Sequence, residues 1–567
     1  MHNEYISFSL GIYQDSIISA LDKMRRDNII GRIWAKDHTI WKTSPIEIAD
    51  RLDWLDTPQE TLEKITYIRQ TLEPFFNGNI NDVVLLGMGG SILAAEVFNK
   101  VLGSEPGYPN LHIIDTTDPI LISRLTKHLN LEKTLFLVSS KSGKTIEVTS
   151  LFHYCYNLVL EKIGDTAGSH FIIITDKGSY LEDLSKKLSI RNVFSSNSNI
   201  GGRYSALSIT GIVPAAIIGI DVEILLLSAI DAQQREKEEK FSGDFPTTGA
   251  VLGAALGTLA QKGRNKITFI MSPQWIPFGN WLEQLIAEST GKEGKGILPV
   301  LDEPLADPGF YGNDRLFVFF QNVPGDNSEK IEGLIEAGHP VITITTNNRY
   351  DLGGLMFLWE MAAAVAGHFL GINPFDQPDV EITKAHIRRM IALYREHKEL
   401  PYELPSLTTP ECVIYGGPQV TNIADKLKLF ISEANKDDYV CLQVYFNQSP
   451  EIDETLKTLR ETIFIKYGLA VTIGYGPRYL HSTGQLHKGD SGNGLFIQLT
   501  QENIWDVDIP DEIGKNKSSL TFGTLQAVQA QGDWQALKDA GRRIIRFHFR
   551  TNPAAGLKIL SKFFNEL

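Results

Sequence analysis

Val83-Val84-Leu85-Leu86-Gly87-Met88-Gly89-Gly90-Ser91 runs from a short apolar block into glycines and then into the helical stretch Ile92-Leu93-Ala94-Ala95-Glu96-Val97. An apolar run this short, bounded by turn formers and followed by a helix-length piece, predicts a buried strand of a parallel sheet. The pattern recurs at His112-Ile113-Ile114, Leu135-Phe136-Leu137-Val138 and Phe171-Ile172-Ile173-Ile174, so residues 81–235 read as one doubly wound α/β domain. A second series, Ile267-Thr268-Phe269-Ile270, Leu316 to Phe320 and Val341-Ile342-Thr343-Ile344, marks a second domain over 245–396. The polar run 233–247 reads as a helix end and linker, and the proline-bearing stretch 397–411 as another boundary. Beyond it, Tyr439 to Phe446, Ala470 to Ile473, Gly494 to Leu499 and Ile544 to Phe549 are the expected strands of a C-terminal α/β region, 405–567. Ahead of all three, residues 1–80 read as a mainly helical segment, with Leu52, Leu55, Leu62, Ile65, Ile68 and Leu72 at three- and four-residue steps. The similar texture of the first two α/β blocks suggests a duplicated domain type.

The chain has 567 residues, 54 Lys+Arg against 68 Asp+Glu and a net charge of −14, with 43% hydrophobic and 22% charged residues. That balance excludes collagen, coiled coil and wholesale disorder. At ~100–200 residues per domain it allows three or four domains with cores of their own. The acidic balance argues against broad nucleic-acid binding, which needs clustered Lys and Arg to release counterions. It leaves room for small anions held by local basic groups. Cys155, Cys412 and Cys441 are far apart and odd in number. They form no zinc or disulfide pattern, which points to a reducing compartment and to no metal. The first residues lack the basic and apolar regions of a signal peptide. Asp221 and Glu223 interrupt one apolar stretch (211–232), and Glu360 and His368 the other (354–375). A membrane span needs ~20 apolar residues, so a soluble cytoplasmic protein with no membrane or nucleic-acid partner is expected.

Five motifs can carry chemistry. Gly87-Met88-Gly89-Gly90-Ser91 sits at a strand-to-helix turn, where Gly89, Gly90 and Ser91 let a ligand approach the backbone. It is not GxGxxG, and no acidic residue supports a dinucleotide reading. Ser139-Ser140-Lys141-Ser142-Gly143-Lys144-Thr145 has the same placement, and its hydroxyls and lysines exceed what helix capping needs. They suit a phosphate dianion. The P-loop reading fails because no Gly stands five residues before Gly143. Gly201-Gly202-Arg203-Tyr204-Ser205 brings a guanidinium close to a ligand, suited to a developing oxyanion. Gln284 and Glu288 share one helix face before a glycine break. Asn373-Pro374-Phe375-Asp376-Gln377-Pro378 leads to Val380, Glu381 and Lys384. Taken singly, a tight turn, a Ser-rich cap, a surface arginine, a solvated glutamate and loop packing would each explain one block.

In this order the blocks resemble the glucose-6-phosphate isomerase family, built from sugar-isomerase (SIS) domains, over about 80 to 390. The resemblance implies two SIS-type doubly wound parallel-sheet domains. Residue by residue, it places the phosphate loop S-K-[ST]-x-x-T on Ser140, Lys141, Ser142 and Thr145, with Gln284 assigned to the same phosphate. It makes Arg203 the family's arginine, Glu288 its catalytic base and Lys384 the lysine of NPFDQxxVExxK. The family's histidine belongs between the glutamate and NPFDQ, often within LHSxGQ. There this chain has only His339, in a Gly-His-Pro turn, and His368, on an apolar helix. Leu480-His481-Ser482-Thr483-Gly484-Gln485 matches downstream, in the wrong order, so His481 is the expected ring-opening group. The N-terminal 75 residues and much of the chain after 400 also depart from the usual pattern. They are similar to the isomerase part of transaldolase–isomerase fusions, although no transaldolase barrel fits in this chain.

The resemblance implies interconversion of glucose 6-phosphate and fructose 6-phosphate through an enediolate. Such a reaction needs a base near C1 and C2, a cation for the oxyanion and a grip on the remote phosphate. Glu288, Arg203 and the loop from Ser140 to Thr145 fill these roles, with His481 and Lys384 for ring opening and no cofactor. The alternatives are a bifunctional phosphoglucose/phosphomannose isomerase and a non-catalytic sugar-phosphate-binding regulator on the same fold. The family also implies a homodimer with sites near the interface.

Overall fold

The computed structural model describes residues 6–76, 78–238, 247–322, 328–401, 403–502, 504–550 and 552–566. In the first sheet, Asn110–Ile114, Asp82–Leu86, Thr134–Ser139, Phe171–Asp176 and Asn192–Ser196 lie side by side, all parallel. In chain order this is 2-1-3-4-5, so the winding reverses between Asp82–Leu86 and Thr134–Ser139. The Gly87–Ser91 and Ser140–Thr145 turns leave the carboxyl ends of that pair, where open α/β sheets hold ligands. The strands are apolar throughout because both faces are covered. Val83 and Leu85 enter the core shared with the second sheet, whereas Val84 and Leu86 pack on the opposite side with Phe136, Val138 and Phe152.

The second sheet places Leu298–Val300, Lys266–Met271, Arg315–Asn322 and Val341–Thr346 in the order 2-1-3-4, all parallel. Its last edge is Ile6–Ser9, antiparallel, with Ile6 opposite Ile344. The N-terminal segment, read as mainly helical, thus also supplies an edge strand. A four-residue edge strand with only Ile6 fully buried carries too little apolar pattern to be seen in sequence. The third sheet repeats the layout with Ala470–Tyr475, Tyr439–Tyr445, Gly494–Gln501 and Arg543–Phe549, again 2-1-3-4 and parallel. The antiparallel strands Cys412–Tyr415 and Leu407–Thr408 extend the same edge.

Helix Val222–Lys237 takes up the start of the polar run 233–247; residues 239–246 of that run lie outside the described residues. Helix Asp351–Leu370 has the length and composition of a membrane span, yet 17 of its 20 residues are buried inside the protein. Trp41 Nε1 donates to its Ala364 carbonyl at 2.8 Å, tying the N-terminal segment to it. Trp54, from the same segment, packs between Phe357 of that helix and Tyr204, with ring centroids 5.8 and 5.3 Å away. The N-terminal wrap therefore braces the turn that carries Arg203.

Candidate active site

Arg203 lies in a single 3-10 turn, Gly202–Tyr204, and its side chain is 2% exposed. The turn packs directly on the first glycine motif: a Cβ on Gly90 would clash with the Gly202 carbonyl. Nε of Arg203 donates to Ser289 Oγ (2.8 Å), Nη1 to Gln377 Oε1 (3.0 Å), and Nη2 to the carbonyls of Pro374 (2.6 Å) and Asp376 (3.0 Å). A guanidinium has five N–H groups, so among the described residues four are used and one, on Nη1, remains. That nitrogen is 3.6 Å from Glu288 Oε1. The loop 373–378 thus acts as a socket for Arg203.

Glu288 sits in the last turn of helix Ile276–Thr290, its side chain 12% exposed. Gln284, one turn earlier, donates through Nε2 to Glu288 Oε2 (3.1 Å) and to the His481 carbonyl (2.7 Å). Both amide hydrogens are thereby used on Glu288 and His481 rather than on the Ser140–Thr145 loop. Gly89 has φ +51°, and a Cβ there would come within 2.9 Å of both Gln284 Nε2 and the His481 carbonyl oxygen. Glycine at 89 lets the first sheet, helix 276–290 and the third region meet at one point. Ser91 closes the 3-10 turn Gly89–Ser91 ahead of helix Leu93–Leu102.

His481 follows the third-sheet strand Ala470–Tyr475 and reaches this meeting point within one chain. Its Nε2 is 3.1 Å from Glu147 Oε1. Gln529 Nε2 donates to the same oxygen at 2.7 Å, and Thr117 Oγ1 in turn donates to Gln529 Oε1 at 2.7 Å. Glu147 is buried, which by itself pushes its carboxyl up. The charge and hydrogen bond of His481 outweigh that and hold it below the usual range. With Nε2 facing the carboxylate, Nδ1 is the ring nitrogen without a partner among the described residues. His339 lies between Arg264 and the Pro308 carbonyl, and His368 contacts the Ile40 carbonyl, so both have structural roles.

At the phosphate loop, Ser140 Oγ is 3.2 Å from Thr145 Oγ1, and Ser142 Oγ accepts from the Lys144 amide at 3.3 Å. Thr145 precedes helix Ile146–Ile163 without capping it through its side chain, which leaves the first amides of that helix for an anion. Lys141 departs from expectation. Its ammonium donates to Asp176 Oδ2 (2.9 Å), Ser198 O (2.7 Å) and Asn197 O (3.4 Å), so its three hydrogens hold the loop in place rather than reaching outward. Lys384 also stands apart: it pairs with Glu381 at 2.7 Å, its side chain is 41% exposed, and its charge reaches the cluster only as a field on Glu147.

Sequence reading passed over four groups. Glu147 and Gln529 orient His481, and they come from distant segments with no motif of their own. Gln377 lies within the quoted NPFDQ block but was given no role. Lys292 ends the block Glu288-Ser289-Thr290-Gly291-Lys292 and is buried. It donates to the Asp376 carbonyl (2.6 Å) and carboxylate (2.8 Å). Burial and then the Arg203 charge push its pKa down to about 8.

A family model described as phosphoglucose isomerase matches residues 59–297. The glucose-6-phosphate isomerase of Rubrobacter xylanophilus is 30% identical over 379 residues, 57% of this chain and 85% of that protein. A probable glucose-6-phosphate isomerase of Methanococcus maripaludis is 29% identical over 379 residues, covering 60% of this chain and 84% of the relative. The solved structure of a glucose-6-phosphate isomerase from Chlamydia trachomatis matches the fold with a TM-score of 0.56 at 18% identity, over 69% of this chain and 89% of that one. Identity at this level, across most of a relative's length, carries more than any of the five motifs does alone, and this chain belongs to the phosphoglucose isomerase family.

Proposed function

We propose that this chain interconverts glucose 6-phosphate and fructose 6-phosphate by proton transfer through an enediolate, with Glu288 as the base. The observation that carries the reading is the pairing of Glu288 with the one uncommitted N–H of Arg203. A carboxylate that shuttles a proton between C2 and C1 needs a cation facing it to hold the enediolate oxygen, and binding alone would not require the pair. Gln284 fixes the carboxylate's orientation through Oε2 and leaves Oε1 toward the arginine. The hydroxyls of Ser140, Ser142 and Thr145 and the amides of helix Ile146–Ile163 take the phosphate and set the reacting carbons against Glu288. His481 exchanges the ring-opening proton through Nδ1 while Glu147 holds Nε2.

The test is Glu288→Gln in a coupled assay with fructose 6-phosphate, run in parallel with mannose 6-phosphate. The amide keeps the shape and loses the basicity, so turnover should fall by at least ~10²-fold with KM nearly intact. Near-wild-type turnover in a clean preparation would remove Glu288 from the mechanism. Turnover of mannose 6-phosphate by the wild type would extend the reading to both C2 epimers.

A further inference from the structure

The third sheet has a cavity of its own, about 290 Å³, set apart from the Glu288 site. It lies at the carboxyl ends of the central strands. Tyr445 closes Tyr439–Tyr445, Thr500 and Gln501 end Gly494–Gln501, and Arg546 and His548 lie late in Arg543–Phe549. In this 2-1-3-4 sheet the winding reverses between Tyr439–Tyr445 and Gly494–Gln501. The cavity spans the strands on one side of that point, from Tyr445 across Thr500 to Arg546 and Tyr415, beneath helix Phe522–Asp539.

Arg546 is 5% exposed. Its Nε donates to Gln498 Oε1 at 2.6 Å; Nη2 is buried with no partner, and the guanidinium has no carboxylate partner among the described residues. The Cζ lies 4.6 Å from the Trp534 ring centroid and 5.7 Å from that of Tyr415, so aromatic faces hold its plane. Burial pushes its pKa down to about 10, still a cation at neutral pH. Glu403 lines the same cavity and its charge favours the Arg546 cation; it accepts at Oε1 from Trp534 Nε1 (3.1 Å) and Lys538 Nζ (3.1 Å). Gln531, from helix Phe522–Asp539, lines the same space with Oε1 buried and unpartnered. A desolvated guanidinium with idle donors is costly unless an acceptor completes it.

We propose that this cavity is a second ligand site, taking a small hydroxylated organic anion whose phosphate or carboxylate oxygens pair with the free arm of Arg546. Gln531 and Thr500 read its hydroxyls. Nothing in this assignment depends on the isomerase reading of Glu288.

The experiment is calorimetric titration of the full chain with inorganic phosphate, 6-phosphogluconate and citrate. The chain carries Ser140→Ala, Ser142→Ala and Thr145→Ala, which weaken binding at the first-sheet phosphate loop, and the binding that Ala527→Leu removes is the part assigned to the cavity. One saturable site per chain is expected for at least one probe. Arg546→Gln should weaken it at least ~10-fold, the effect of losing a charge-assisted hydrogen bond. Ala527→Leu adds bulk to the cavity wall from helix Phe522–Asp539 and should abolish binding. In an otherwise wild-type chain it should leave isomerase turnover intact, which also reports on folding if Arg546→Gln does not fold. A response to phosphate or 6-phosphogluconate assigns a phosphoryl ligand; a response to citrate alone assigns a carboxylate. No saturable binding of any probe, or binding unmoved by Ala527→Leu, would overturn the proposal while leaving the Glu288 site untouched.

Discussion

Replacing Glu147 by glutamine tests whether the third region takes part in catalysis. The change is isosteric: the amide oxygen can still accept from Gln529, now 2.7 Å away, but the charge facing His481 Nε2 at 3.1 Å is lost. At an effective dielectric near ~20 the bare attraction at that distance is roughly 5 kcal/mol. Burying Glu147 works against it, so the net worth is that of a charged hydrogen bond, about 1.5–3 kcal/mol. If that carboxylate stabilises the positive charge the ring carries for sugar opening, turnover on cyclic glucose 6-phosphate falls ~10–10²-fold. Enolisation by Glu288 does not use that charge. An acyclic aldose phosphate too short to close a pyranose ring should therefore be turned over at close to the wild-type rate. Equal losses on both substrates, or none on the cyclic one, would refute the role given to His481. Stability supplies a second readout with a definite sign. The folded state holds the Glu147 carboxyl below its ordinary value. Its stabilisation is therefore complete above the ordinary glutamate pKa of ~4.3 and is lost as pH falls through the lower folded value. In denaturant melts the wild type should exceed Glu147→Gln at neutral pH, and the gap should close on acidification.

Three further outcomes follow from the same contacts. Replacing Ser140, Ser142 and Thr145 by alanine should mainly raise KM, with some loss of kcat, because remote binding energy also positions the reacting carbons; initial-rate kinetics with fructose 6-phosphate measure the split. Gly90→Ala drives a methyl into the Gly202 carbonyl, so it should separate the two turns and lower turnover at least ~10-fold while thermal unfolding shifts only modestly. Glu283, hydrogen-bonded to Ser482 Oγ, is pushed up to about 7 by burial. Its ionisation therefore costs stability progressively between the ordinary glutamate pKa and pH 7, and Glu283→Gln should gain on the order of 1–3 kcal/mol relative to wild type at pH 8 over pH 5, read from paired denaturant curves.

The interior parallel strands and the five motifs were legible because each is a local pattern. A strand buried on both faces must be apolar along its whole length, as Val83 to Leu86 and Leu135 to Val138 are. The edge strands Asn110–Ile114 and Ala470–Tyr475 were legible too, whereas others were not. In Asn192–Ser196 only Phe194 is fully buried, and Leu298–Val300 is three residues long with Pro299, a residue that argues against a strand interior, in the middle. The common 2-1-3-4 order of all three sheets was equally hidden, since strand order depends on where crossovers land and not on what the strands contain.

The candidate site divides along the same line. Sequence alone put the Ser140–Thr145 loop at a strand-to-helix turn, Gln284 and Glu288 on one helix face and Arg203 after two glycines, because glycine spacing and the 3.6-residue period are read within a few residues. It determined that His481 has the right neighbours, but not where they go. Only the tertiary structure brings the His481 carbonyl to Gln284, 197 residues earlier in the chain, and its ring to Glu147, 334 residues earlier. Only the tertiary structure turns Lys141 inward onto Asp176 and leaves Lys384 paired with Glu381 at the surface. The physical reason is that a side chain's role is set by which donors and acceptors it has already committed. Those partners come from packing between the three sheets, where a glycine at 89 or 90 permits contact that any side chain would forbid.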